Sequence, residues 1–181
     1  MEQEQQEAWH SFERNVVSRT REEYHPGEAG VMCLLRIIVD PSFDPLVSWR
    51  VCRQSSRSEG DVYFALFSRW RRDEDVKKFL TPIERLKHPR TLTPTVENGR
   101  VELDGKFVED VMRRFETASI PAFIAEHIIG VDGESYELTI GSHFLEAKYS
   151  WWVSPPAGWV SLGRIVRDVL RHLNEAVESS L

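Results

Sequence analysis

Cysteine is scarce in this chain, with two among 181 residues. Cys33 and Cys52 form no CxxC pair and no metal-ligand spacing, so the sequence offers neither a disulfide-rich scaffold nor a cysteine zinc site. Both residues lie in short apolar runs of the kind that form strands. We therefore expect two reduced core thiols, with a Cys33–Cys52 disulfide between neighbouring strands as the alternative.

Long apolar runs are missing as well. The longest, "VMCLLRIIV" (31–39), is interrupted by Arg36 and falls far short of the roughly 20 residues that span a bilayer. The first residues, "MEQEQQEAWHSFER", are acidic and polar, whereas a secretory signal begins basic and continues apolar. We expect a cytoplasmic protein without membrane attachment, or one exported by a route that leaves no N-terminal signal.

Positive charge is in deficit, because 23 Lys and Arg face 29 Asp and Glu, a net charge of −6. Residues 91–181 carry the whole excess, with 14 acidic residues against 8 basic ones. An acidic surface repels phosphate backbones, so we expect no nucleic-acid partner and favour a protein partner with a basic surface. The length suits one domain, predicted over residues 1–181.

The common catalytic motifs are also missing. The chain contains no GxGxxG, GxxxxGK[ST], GxSxG or HExxH, which argues against the usual nucleotide, hydrolase and zinc-protease sites. Its six histidines are dispersed, and no two lie within ten residues of each other. We therefore expect no cofactor, no metal and no catalytic residue.

The best acid–base candidates are Glu126 and His127, which interrupt the apolar run "AFIAEHIIG". On a strand these neighbours point to opposite faces and cannot act together, so His127 is interpreted as an ordinary strand residue. Asp61 is a third, isolated candidate. A nucleophile pair of Cys33 with a remote histidine is allowed by any chain that has both residues.

A second charged group lies on the last predicted helix, where Arg164, Arg167 and Arg171 share one face with Asp168. Their spacing is typical of a solvated face that pairs with itself. A patch that reads phosphate or carboxylate groups is the alternative.

Hydrophobic periodicity predicts the secondary structure. Helices are expected over 2–20, from 73, over 105–118 with Asp104 as N-cap, and over 159–177. Strands are expected over 31–39 (a buried helix being the alternative), 46–54, 61–71, 124–131, 135–140 and 145–152, with a loop over 87–100. Because no βαβ series occurs, the predicted class is α+β: an antiparallel sheet of hairpins with helices packed on one face, and amphipathic helices at both termini.

The last third of the chain carries the strongest hairpin signals. Asp132-Gly133 favours a tight turn between a strand over 124–131 and "SYELTI" (135–140). A second turn at Ser142-His143 gives a register with matched faces. It pairs Tyr136 with Tyr149, Leu138 with Ala147, Ile140 with Leu145 and Glu137 with Lys148.

The stretch "YSWWVSPPAGW" (149–159) holds three of the six tryptophans. Strand parity sends Trp151 to the core and Trp152 to the opposite side. One interpretation is an aromatic corner that fixes how the last helix folds back over the sheet. The other is a partner-binding surface, since tryptophan is enriched at binding hot spots. It comprises Trp152, Pro155, Pro156 and Trp159.

The motif "DGESYELTIG…AKYSWWVSPPAGWVSLGRIVRDVL" resembles a C-terminal pattern of uncharacterised bacterial proteins. In that pattern a DGxxYEL strand precedes a YxWW…PPxGW helix start. The resemblance implies a bacterial origin and a compact hairpin–helix unit, here about 124–177. It carries no known activity, and so it transfers no catalytic residue.

These observations favour a non-catalytic bacterial binding protein that engages a protein partner, either an immunity or toxin-neutralising protein or an adaptor. The alternative is a small hydrolase-like enzyme whose site assembles only in the fold, from Glu126, His127 and Asp61. A further option is an assembly subunit that forms homo-oligomers through the surface around Trp152.

Overall fold

The computed structural model of the protein describes residues 3–22, 30–42, 44–56, 60–80, 93–122, 124, 132–142 and 145–179. In this part of the chain the helices are α1 (Gln3–Glu22), α2 (Arg72–Leu80), α3 (Gly105–Thr117) and α4 (Val160–Glu178). The strands are β1 (Val31–Pro41), β2 (Val47–Ser56), β3 (Gly60–Trp70), β4 (Val96–Leu103), β5 (Glu134–Ser142) and β6 (Leu145–Trp152). A 3₁₀ turn, Ala157–Trp159, leads into α4.

The six strands form one sheet in the order β4-β3-β2-β1-β5-β6, and every neighbouring pair is antiparallel. The predicted α+β class is thereby confirmed. The predicted hairpin of strands 46–54 and 61–71 is β2 and β3, and the apolar run 31–39 is β1. None of the described helices is long and apolar enough to cross a membrane.

Helices α3 and α4 cover one face of the sheet, named here the core face. Its strand residues include Trp49, Val51, Ala65 and Phe67. Along the apolar stripe of α4, the side chains of Leu162, Ile165, Val166, Val169 and Leu173 are buried and those of Leu170 and Val177 are partly buried, as the helical spacing predicts. Asp104 caps α3 as predicted, since its Oδ1 accepts a hydrogen bond of 3.0 Å from the Lys106 N–H.

Helix α1 lies on the opposite face, named here the α1 face. Phe12 and Val16 pack on Trp70, which shares this side of β3 with Phe64 and Leu66 because side chains alternate along a strand. The prediction of helices on one face therefore holds for α3 and α4, whereas α1 covers the other side. The cause is β3, which is apolar on both faces and needs cover on both.

Strand β4 overlaps the end of the segment 87–100, which was predicted to be a loop. That prediction is wrong for residues 96–100, which form a regular ladder with β3. The pair Asn98-Gly99 is typical of a turn but lies within this ladder. Gly99 is needed there, since a side chain at this position would collide with the Phe67 ring.

The register of β5 and β6 differs from the prediction by two residues. Tyr136 lies opposite Trp151, Leu138 opposite Tyr149, and Ile140 opposite Ala147. A shift of two preserves the faces, so the assignment of Trp151 to the core side is right although the pairs are wrong. Lys148 lies opposite Thr139 rather than Glu137. It instead makes an ion pair of 3.3 Å with Glu146 on its own strand.

The predicted strand over 124–131 lies outside the described residues, apart from Ile124. The Asp132-Gly133 turn was predicted to pair that strand with β5, but β5 pairs with β1 on one side and with β6 on the other. The carbonyl of Gly133 accepts hydrogen bonds from the backbone N–H and the hydroxyl of Ser42, at 2.8 and 2.9 Å. The Asp-Gly pair thus ties the start of β5 to the end of β1.

We expect Thr20→Val to stabilise the protein by about 1 kcal/mol, because it removes a buried hydroxyl that has no hydrogen bond. Thr20 of α1 is 1% exposed, and its Oγ1 has no partner among the described residues. A thermal melt should show a midpoint higher by about 2–4 °C. The matched control is Thr117→Val at an exposed position, expected within about 0.5 kcal/mol of wild type; equal shifts in both variants would contradict the prediction.

Candidate functional site

The segment of residues 151–160, named here the aromatic corner, joins β6 to α4. Trp151 is buried and stacks on Tyr136, with ring centroids 5.4 Å apart. Trp152 is half-buried on the other side of the strand, as parity predicts. Its indole lies next to Gly133, where an added Cβ would be 3.1 Å from the indole nitrogen.

Trp159 and Pro155, two of the four predicted partner-binding residues, make contacts that hold the start of α4 in place. The Trp159 indole N–H donates a hydrogen bond of 2.9 Å to the Pro121 carbonyl, and its ring meets Tyr149 edge-on at 5.3 Å. The Pro155 ring occupies the space where a side chain at Gly163 of α4 would lie. These contacts favour the interpretation of Trp159 and Pro155 as a corner that fixes the start of α4. Pro156 precedes the 3₁₀ turn and is half-buried.

The backbone is strained directly after Trp152, at Val153. Val153 has φ +55°, a region that β-branched residues rarely adopt. The Ser154 N–H donates to the Trp152 carbonyl at 2.6 Å, so Val153 is the centre of a three-residue γ-turn. Its side chain is 53% exposed. Strained backbone of this kind concentrates at functional positions, which draws attention to the exposed side of the corner.

The aromatic corner continues into the edge strand β6, beyond which no strand lies in the described part of the chain. The Val153 N–H donates to the Glu134 carbonyl at 2.7 Å, which fixes the alternation of the β5–β6 ladder. By that alternation the backbone N–H and C=O groups of Glu146, Lys148 and Ser150 point away from β5. Such a row of outward groups is a template for another strand.

The surroundings of this edge are acidic. Residues 132–142 and 145–152 contain Asp132, Glu134, Glu137 and Glu146 but only one basic residue, Lys148. Glu134 also accepts a hydrogen bond from the Tyr136 hydroxyl; burial, followed by this bond, raises the pKa of Tyr136 to about 12. A surface of this charge attracts a basic partner and repels an acidic one.

The enzyme candidates are not brought together by the described structure. Glu126 and His127 lie outside the described residues. Asp61 is exposed, and its carboxylate is 3.6 Å from the Arg53 guanidinium. Within the described ranges, no group of three or more His, Cys, Asp and Glu residues is placed to hold a metal ion.

Arg53 also lines a cleft of about 280 Å³ between the sheet and α3, together with Tyr63, Val108 and Met112. This volume lies just below the range of typical small-molecule pockets. The cleft therefore supports no ligand assignment.

On the arginine face of α4, Asp168 pairs with Arg171 and also with Arg114 of α3. Asp168 accepts a hydrogen bond of 2.7 Å from Arg114 of α3 and lies 3.7 Å from Arg171. The Arg114 hydrogen bond lowers the pKa of Asp168, and the charge of Arg114 acts in the same direction. This arrangement favours the self-paired interpretation and adds a tie between α3 and α4 that the sequence did not reveal.

A second site lies on the α1 face, where the two cysteines meet on neighbouring strands. Cys33 of β1 is the direct cross-strand partner of Cys52 of β2, and both thiols are free. A β-bulge follows Cys33, because Cys33 pairs with Cys52 while Leu35 pairs with Val51, leaving Leu34 as the extra residue. In an unbroken strand Cys33 and Leu35 would share the core face. The bulge turns Cys33 to the α1 face, beside Cys52.

Two arginines flank this pair of thiols. Arg50 lies on β2 directly opposite Arg36 of β1 and is buried at 7% exposure. The hydrogen bond from the Cys52 thiol lowers the pKa of Cys33 to about 7; burial opposes this, and the charges of Arg50 and Arg36 support it. The same hydrogen bond raises the pKa of Cys52, and burial raises it further. Cys33 is thus the more acidic of the two thiols.

The fold and these two sites define an α+β protein with an open sheet edge at β6 and a pair of thiols on the α1 face of β1 and β2. No protein-family model matches the chain, and neither the curated proteins nor the solved structures give a match.

Proposed function

We propose that this protein is a non-catalytic binding protein whose partner adds an extended basic segment to the edge of β6. The observation that carries the proposal is the row of outward backbone groups at Glu146, Lys148 and Ser150, set beside the exposed corner at Val153. Strand addition to a sheet edge is a recurrent mode of peptide recognition, in which main-chain hydrogen bonds supply much of the affinity.

Side chains around the edge provide the remaining contacts. Leu145 is 84% exposed at the start of β6, and Trp152 is half-buried at its end. They lie on opposite faces of the strand, so an added segment with alternating apolar and basic residues meets both. Among the four predicted partner-binding residues, Trp152 is the one we assign to the partner, since Trp159 and Pro155 serve the corner itself.

The acidic charge of the chain supports the choice of partner. A net charge of −6, carried by residues 91–181, attracts a basic protein and speeds its association. An immunity protein that neutralises a basic toxin, or an adaptor for a basic protein, would use such a surface.

The test compares Lys148→Pro with Lys148→Ala. Proline removes one outward N–H and keeps the β5–β6 bonds, because the Lys148 N–H points away from β5. Alanine removes the same charge and keeps the N–H. A library of random displayed peptides is selected on the wild-type protein, and one enriched peptide is titrated calorimetrically. We expect a basic, extended peptide whose Kd rises about tenfold with proline and little with alanine.

Equal affinity of both variants would contradict strand addition at β6, and enrichment of acidic peptides would contradict the choice of a basic partner. A concentration-dependent dimer of the wild type that Lys148→Pro abolishes would assign the edge to a second copy of this chain instead.

A further inference from the structure

The register places the two cysteines close enough to form a covalent bond. The Ser55 N–H donates to the Gly30 carbonyl at 3.4 Å, so along this antiparallel ladder Cys33 and Cys52 form a pair without mutual backbone hydrogen bonds. Cα atoms in such a pair are about 4.5 Å apart, inside the range that a disulfide spans. The two side chains lie on the same face of the sheet, and the neighbouring Cys52 thiol lowers the pKa of Cys33.

The two thiols differ in access. Cys33 is partly buried, whereas Cys52 is 0% exposed and packs against Phe64 and Leu66. A reagent in solution therefore reaches Cys33 first, and Cys52 reacts only with the oxidised sulfur of Cys33. This division between an accessible thiol and an adjacent resolving thiol is the arrangement that redox-reactive cysteines use.

Positive charge surrounds the reacting atoms. Arg50 and Arg36 both lower the pKa of Cys33 through their charges, and the Arg100 guanidinium lies 3.8 Å from the centre of the Phe64 ring, on the same face. Fixed positive charges at a buried site stabilise negative charge that develops on a leaving oxygen. The partly buried position of Cys33 favours a small, uncharged oxidant over a bulky disulfide.

We propose that Cys33 and Cys52 form a hydroperoxide-reactive site, in which Cys33 is oxidised first and Cys52 then closes a disulfide across β1 and β2. The Cys33 thiolate attacks the terminal oxygen of the hydroperoxide ROOH. An S–O bond forms, the O–O bond breaks, and RO⁻ leaves and takes up a proton as the alcohol. Cys33 is now a sulfenic acid.

In the second step the Cys52 sulfur attacks the Cys33 sulfur. The S–S bond forms, the S–O bond breaks, and the departing hydroxide combines with the Cys52 proton as water. Two thiols are oxidised to one disulfide, and the hydroperoxide is reduced by two electrons to alcohol and water. This chemistry is independent of the β6 edge, so either proposal can fail without the other.

The test treats the folded full-length chain with hydrogen peroxide and follows its intact mass. The wild type should lose two hydrogens within one chain. Cys52→Ser should stop at the sulfenic acid, trapped by dimedone and mapped to Cys33, whereas Cys33→Ser should form neither product. In the untreated protein, iodoacetamide should label Cys33 at least about tenfold faster than Cys52, as exposure and thiolate content require.

Alkylating Cys33 in the folded wild type before adding peroxide repeats the Cys33→Ser measurement without a substitution, so a folding defect in that variant cannot imitate the result. Three outcomes would overturn the proposal: disulfides only between chains, a dimedone adduct on Cys52 rather than Cys33, or labelling of both thiols at equal rates.

Discussion

Replacing Asp75 by alanine should lower the free energy of unfolding by about 3 kcal/mol, because it leaves the buried Trp70 indole N–H and the partly buried donors of Thr95 without this acceptor. Asp75 is 1% exposed in the first turn of α2. Its carboxylate accepts hydrogen bonds from the Trp70 indole at 2.9 Å, the Thr95 backbone N–H at 2.9 Å and the Thr95 hydroxyl at 2.6 Å. Lys78 adds a fourth, at 3.0 Å.

These bonds connect α2 to Trp70 at the end of β3 and to Thr95 directly before β4, and Trp70 in turn packs on Phe12 of α1. One carboxylate thus anchors α2, and through Trp70 it also orders the contact with α1. Urea unfolding should show a lower midpoint with an unchanged slope. Asp73→Ala is the matched control, because Asp73 lies in the same helical turn but is exposed; it should change stability by less than about 0.5 kcal/mol.

The contribution of Asp75 should also depend on pH. Burial raises the pKa of this carboxyl, but hydrogen bonds from Thr95, Trp70 and Lys78 outweigh burial and hold the pKa below its ordinary value. A carboxyl with a lowered folded pKa stabilises the fold fully above its unfolded pKa and loses that effect as the pH falls through the folded pKa. The stability difference between wild type and Asp75→Ala should therefore be largest at pH 7 and shrink below about pH 4. A difference that stays constant over this range would contradict the role of the ionised form.

Trp49→Ala should cost about 3–5 kcal/mol, the usual loss when a buried tryptophan is truncated. Trp49 is 2% exposed in the centre of the core face, and its ring meets Phe67 of the adjacent strand at 5.3 Å. β2 is an inner strand of the sheet, so the cavity would open between sheet and helices, where the surroundings cannot collapse without displacing both.

Chemical unfolding of Trp49→Ala measures this loss, and Trp152→Ala supplies a control of the same size. The half-buried Trp152 ring lies at the corner rather than in the core, and its removal should cost much less. A loss in Trp152→Ala that equals or exceeds that in Trp49→Ala would show that the corner, and not the sheet, dominates stability.

Much of the fold could be predicted because its elements follow simple periodicities. The stripe of α4, the cap at Asp104 and the alternation of β2 each report one local rule, and the structure has each element near its expected place. Pairing was harder, since a shift of two residues leaves every face intact and only the turn decides between registers. β4 was missed because glycine is typical of a turn, whereas Gly99 is required in the strand to leave room for the Phe67 ring.

The candidate sites divide in the same way. The half-exposed side of Trp152 follows from strand parity, but the open edge of β6 depends on strand order, which no local pattern contains. Asp75 reads as an acid that complements the helix dipole, and only the tertiary structure turns it inward to Trp70 and Thr95. The thiol pair was considered as a disulfide between neighbouring strands, yet neither its asymmetry nor its arginines could be expected from two isolated cysteines.

The supernumerary Leu34 makes the meeting of the two sulfurs a matter of residue count. Leu34 sets the face on which each earlier side chain of β1 lies. Removing Leu34 would turn Cys33 to the core face, under α3 and α4, while Cys52 would stay on the α1 face. Two chains with the same cysteines could thus differ in thiol chemistry through a single-residue gap. In an alignment of such sequences, the number of residues in the first strand indicates whether the two thiols lie on the same face, and the presence of the two cysteines alone does not.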